Sequence, residues 1–185
     1  MIETLADIDR YDALSIYDRQ RTYERVMSNR DRKRMGELRA FRGFIVATGL
    51  PVDPASVRCL APPRPDIACS LAVSPYLFEL GEVTDQGLAQ RMAHSLKTGM
   101  ITGGAASQTE ALERIITLKL GKTYATHGVP VDLLLYYWWH PAWPAMIYQT
   151  LQKSSAVISS ALARNVFSRI WVYEHQGKGL LIRLP

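Results

Sequence analysis

Two carboxylates interrupt an otherwise apolar stretch. Asp66 follows a proline in "RPDIACSLAV", and Glu79 comes thirteen residues later in "PYLFELGEV". The residue pattern predicts two strands, at about 65–72 and 76–83, joined by a turn at "VSP". Successive strand side chains point to opposite faces. Asp66 therefore shares a face with Ala68 and Ser70, and Glu79 with Leu77, Gly81 and Val83. Adjacent strands can aim Asp66 and Glu79 the same way. Solvated hairpin decoration is one reading. The other is chemical: two close carboxylates repel, and a cation between them relieves the repulsion. Oxygen-only donors favour magnesium or manganese, and such an ion stabilises charge on a phosphodiester.

Two further residues bear on that chemistry. The capping-box pattern Ser107-x-x-Glu110 predicts a helix over 107–125. Its apolar face is Leu112, Ile115, Ile116, Leu120 and Tyr124, with Lys119 near the middle and Lys122 at the edge. A lysine on such a face needs a carboxylate partner or an exit to water. Lys119 thus points at Asp66 and Glu79, or runs along the sheet to solvent. Glu37 lies one turn before Phe41, at the border of the preceding helix's apolar face. It either joins the carboxylates as a third metal ligand or pairs with Lys33 or Arg34 on an exposed flank.

With Pro65-Asp66, the hairpin and "FELGEV" in place, the chain resembles the PD-(D/E)XK nuclease superfamily, over roughly residues 31 to 140. The resemblance implies a restriction-endonuclease-like core with a mixed sheet, and metal-dependent hydrolysis of DNA or RNA. Asp66 and Glu79 would be its catalytic carboxylates, with Glu37 the helix-borne third ligand of a magnesium or manganese ion. The pattern departs at one place: the motif lysine, two residues after Glu79, is Gly81. Some members take that lysine from a neighbouring helix, which makes Lys119 the substitute to consider.

The elements around the hairpin are legible in outline. Residues 4 to 29 lack Pro and Gly and read as helix. Ser28 or Asn29 caps a second helix over about 31–48, with Met35, Leu38, Phe41 and Ile45 as its stripe and Gly49 as its stop. After the hairpin come a helix over 84–99, the loop "ITGGAA", the helix at 107–125 and a buried strand in "VPVDLLLYYWW". A helix over 145–164 and a hairpin turning at "QGKG" complete the chain. This is an α/β arrangement, a mixed β-sheet flanked by helices. The division expected is an N-terminal helical extension over 1–30 and a nuclease-like domain over 31–185.

Charge points to a phosphate-bearing partner. Of the net +5, about +6 falls between Arg19 and Arg42, where nine basic residues face three acidic ones. Arg30, Arg32, Lys33 and Arg34 are the expected nucleic-acid contacts. A solvated helix face explains the same charge. No apolar run is long enough for a membrane span, so no membrane partner and a cytoplasmic location are expected. Cys59 and Cys69 make neither a disulfide framework nor a zinc site, and the four histidines show no ligand spacing. "YYWWHPAW" could stack on unpaired bases, pack in the core, or form a homo-oligomer interface, as could the N-terminal helices. The expected function is a magnesium-dependent nuclease. The alternative is a catalytically inactive nuclease-fold protein that binds nucleic acid or mediates oligomeric interaction.

Overall fold

Thr4 opens the first helix with a reciprocal capping box: its side chain accepts from the Asp7 amide, and Asp7 accepts from the Thr4 amide. The computed structural model describes residues 1–23, 27–83, 108–137, 149, 151–164, 166–174 and 181–184. Helix α1 spans Leu5–Asp12 and α2 Ile16–Arg21. The single helix expected over 4–29 is thus broken. Ser15 caps α2 by accepting from the Asp18 amide, and this local bond restarts the helix where neither Pro nor Gly marks a break.

Helix α3 runs Asn29–Thr48, capped by Ser28 and ended by Gly49 in the left-handed region at φ 62°. Its stripe of Met35, Leu38, Phe41 and Ile45 is buried, together with Phe44. Ile2, Leu5, Ile8 and Tyr11 pack into that same core. α1 thus supplies one wall of the α3 core. Ion pairs reinforce it. Arg39 and Arg42 both reach Asp12, and Arg42 also reaches Asp9.

The sheet is mixed and six-stranded, in chain order throughout. Its strands are β1 Arg58–Cys59, β2 Ile67–Leu71, β3 Ser74–Glu82, β4 Val131–Tyr137, β5 Arg169–Glu174 and β6 Leu181–Leu184. β3, β4 and β5 run parallel, while β1–β2, β2–β3 and β5–β6 are antiparallel pairs. The hairpin turns at Ala72 and Val73, both at positive φ, rather than at "VSP". Pro75 fits inside β3 because the β4 ladder begins only at Leu77, so its missing N–H leaves no gap there.

Each face of the sheet has its own core. Phe78, Leu80, Leu134, Tyr136, Trp171 and Tyr173 pack against α1 and α3. Leu77, Val83, Leu133, Leu135 and Val172 pack on the opposite side with α4 (Gln108–Leu120) and α5 (Ser155–Ala163). The expected helix at 84–99, the loop "ITGGAA", the cap at Ser107 and the "QGKG" turn lie outside the described residues. So do Trp138, Trp139 and Trp143, while Tyr136 and Tyr137 are buried core residues. No helix among the described residues is long and apolar enough to cross a membrane.

Candidate functional site

β3 carries the centre of the site. Glu79 and Gly81 lie on its α4 face, between the core residues Leu77 and Val83. Asp66 directly precedes β2. The Ile67↔Phe78 pairing, carried one step further, sets it opposite Glu79. The Asp66 carboxylate accepts the Leu80 amide at 2.9 Å through Oδ2, which satisfies a strand donor just past the end of β2.

Lys119, in the last turn of α4, joins the two carboxylates. Its Nζ lies 2.6 Å from Oε1 of Glu79 and 3.5 Å from Oδ2 of Asp66. Lys122 also reaches Oε1 of Glu79, at 2.9 Å. Glu79 is only 1% exposed, so these ammonium groups offset a charge that burial would otherwise make costly. Of the two destinations open to Lys119, it takes the carboxylates. The Tyr124 hydroxyl donates to the Lys119 carbonyl at 3.0 Å and braces the end of the helix. Gly81 lies beside Lys119: a Cβ there would stand 3.7 Å from its Cε, an ordinary contact.

Glu37 approaches from α3. It is buried and sits 3.2 Å from Nζ of Lys33, one turn earlier. Burial and then the neighbouring Asp66 carboxylate push its carboxyl up to about 7. Burial disfavours charge on Lys33 as well, but the Glu37 and Asp66 carboxylates hold its ammonium above the ordinary value. Glu37 thus pairs with Lys33, but buried rather than on an exposed flank, and it feels the Asp66 charge without forming a three-ligand metal group among the described residues. Lys122 behaves like Lys33. Burial works against its charge, and the bond to Glu79 raises it.

A cleft of about 680 Å³ brings these elements together, with α3 contributing Lys33 and Glu37, β3 Gly81, and α4 Lys119. Tyr23 and Arg32 line it too, the guanidinium lying 4.7 Å from the ring centroid. Nothing in the sequence pattern marks Tyr23, whose role depends on how α2 and α3 meet.

The basic segment divides. Arg30 is exposed, and Lys33 and Arg32 face the cleft. Arg34 does not serve as a phosphate contact. It is buried, pairs with Glu3 at 3.1 Å and donates to the carbonyls of Ile2 and Leu60, each at 3.4 Å. Its helical position turns it into the core, where it ties the N-terminus to α3.

Among the described residues, no three of His, Cys, Asp or Glu gather closely enough to hold a metal ion together. Asp66 and Glu79 remain a two-carboxylate oxygen donor set, which suits magnesium because that ion usually keeps several waters and takes one or two carboxylates. Cys59 and Cys69 take no part: burial pushes both thiols up to about 12.

One buried polar group carries no signal in the sequence. Asp132 is fully buried on β4. It accepts from the Tyr76 hydroxyl at 2.9 Å and Trp171 Nε1 at 2.7 Å, and its Oδ2 lies 2.9 Å from Arg169 Nε. These bonds satisfy the carboxylate and clamp β3, β4 and β5 near the starts of the latter two, away from the cleft. Comparisons with protein-family models, curated proteins and solved structures yield no match for the chain.

Proposed function

We infer that the chain is a metal-dependent nuclease of the PD-(D/E)XK type, with a restriction-endonuclease-like core, hydrolysing phosphodiesters of DNA or RNA. One observation carries the reading. Lys119 lies within reach of both Asp66 and Glu79, over the Gly81 position where the motif lysine is missing. A carboxylate pair from the β2–β3 hairpin and an ammonium from α4 form the group that this hydrolysis requires.

Asp66 and Glu79 would hold magnesium or manganese, which when bound supplies charge stabilisation to the scissile phosphate. The chain's own groups do the rest. Lys119 can donate to a phosphate oxygen or orient the attacking water. Glu37, with its carboxyl near 7, can accept or return a proton on the α3 side. Lys33 on the cleft wall and Arg30 beyond it supply positive charge for the backbone of the substrate.

The test is cleavage of labelled single- and double-stranded DNA and RNA with magnesium or manganese. Cleavage is expected, with loss of at least about a hundredfold in Asp66→Ala, Glu79→Ala and Lys119→Ala. Absence of cleavage with either ion, together with no Asp66-dependent metal binding by calorimetry, overturns the reading.

A second reading rests on a different observation. Two ammonium groups already hold Oε1 of Glu79, so the site is balanced without a cation. A non-catalytic nucleic-acid-binding module would then keep its salt-sensitive affinity in Asp66→Ala and Glu79→Ala. Oligomerisation through α1 has less support, since its apolar residues are spent in the core.

A further inference from the structure

We propose that the cleft takes single-stranded nucleic acid, with one base stacked on Tyr23 at its mouth. This deepens the nuclease reading by naming the substrate's strandedness, and it shares with that reading only the premise that nucleic acid is the ligand. Three observations support it. Tyr23 follows α2, a helix that buries none of its residues, and the tyrosine itself is 40% exposed. One face of its ring carries the Arg32 guanidinium at 4.7 Å, which fixes the ring's orientation and adds a second flat, cationic surface beside it. Both residues line the same cleft as Lys33, Glu37, Gly81 and Lys119. A base held at Tyr23 would therefore have its backbone led towards Glu37 and Lys119, with Lys33 alongside.

Size argues for a single strand. The cleft holds about 680 Å³, within the range of roughly 300–1,000 Å³ that encloses one small-molecule-sized ligand. That accommodates a nucleotide or two with the bases unpaired. The lining also has the composition of single-strand sites, which combine aromatic faces with cationic groups along the backbone. Base stacking tolerates any sequence, because every base has a π-face, so little sequence preference is expected.

The experiment measures binding of fluorescent single-stranded DNA, single-stranded RNA and the matching duplex to the full chain in EDTA. Single strands should bind at least about tenfold more tightly than the duplex. Tyr23→Leu keeps apolar bulk but removes the π-face, and should weaken single-strand binding at least about fivefold. Tyr23→Phe should bind as the parent does. On the unmodified chain, the fluorescence of a 2-aminopurine strand should be quenched on binding, a readout that needs no variant. Equal or tighter duplex binding, no binding at all, or single-strand binding indifferent to Tyr23→Leu overturns the proposal. Adding magnesium or manganese separates the two readings. Stacking without cleavage in either ion, and without Asp66-dependent metal binding, removes the nuclease reading alone. Duplex cleavage unaffected by Tyr23→Leu removes this inference alone.

Discussion

Lys119 donates to Glu79 at 2.6 Å beside Gly81, whose missing side chain leaves room for Leu135 and Ile115. A Cβ on Gly81 would stand 2.9 Å from Cδ2 of Leu135, 3.0 Å from Cγ1 of Ile115 and 3.7 Å from Cε of Lys119. Leu135 is fully buried and cannot give way freely.

Gly81→Ala should consequently destabilise the chain by about 1–3 kcal/mol, the usual cost of overpacking. Gly81→Lys, which restores the motif on paper, should destabilise more and should not rescue Lys119→Ala. Denaturant melts with cleavage assays on the single and double variants test this. A Gly81→Lys variant as stable as the parent would show that the space is not needed.

The two lysines on Glu79 should differ in weight. Lys119 is buried and Lys122 is 52% exposed in its side chain. Removing one partner of a buried pair costs roughly 3–5 kcal/mol, softened here because Lys122 remains. Lys119→Met should therefore cost about 2–4 kcal/mol, against less than about 1 kcal/mol for Lys122→Met. Combining Lys119→Met with Glu79→Gln should recover part of the loss. Chemical denaturation of the three variants and the parent gives the comparison, and equal costs for the two lysines would contradict the assigned geometry.

What could be read from sequence follows from how local each cause is. The Asp66–Glu79 hairpin, the Gly49 stop and the face of Lys119 depend on alternation, left-handed backbone or helical period, all carried within a few residues. The break at Ser15 depends on one side-chain bond to the Asp18 amide, which competes with helix continuation and leaves no mark in composition. Arg34 reads as a phosphate contact on charge alone, because charge does not tell a solvated side chain from one tied to Glu3. The Asp132 clamp draws on Tyr76 and Trp171, 56 and 39 residues away, and no periodicity connects them. The residues of α1 have the spacing of an amphipathic helix, but only α3 shows what they pack against.

The β2–β3 turn carries conformational strain that substitution can relieve. Ala72 and Val73 sit at φ 46° and 68°, and Val73 is 98% exposed. Two-residue hairpin turns of this kind favour Asn-Gly, because L-residues with side chains pay about 1 kcal/mol or more each in the left-handed region. Ala72→Asn with Val73→Gly should stabilise the chain by about 1–2 kcal/mol, raising the thermal midpoint without altering nucleic-acid affinity. An unchanged or lower midpoint would refute this account of the turn.

Glu37 should make stability depend on pH. Burial first, and then the Asp66 carboxylate, raise its carboxyl from an ordinary 4.5 to about 7. The folded chain therefore holds a proton that the unfolded chain has released between those values. The contribution is complete below about 4.5 and disappears as pH rises through about 7. Glu37→Gln removes the titration while keeping the shape. Its stability relative to the parent should climb by roughly 2–3 kcal/mol between pH 5 and pH 8, because each tenfold change in a proton equilibrium is worth about 1.4 kcal/mol. The raised Lys33 ammonium does not interfere, because it titrates above this window. Urea melts in EDTA at several pH values measure the difference. Parallel curves for parent and variant would mean that Glu37 ionises at its ordinary value and carries no proton near neutrality.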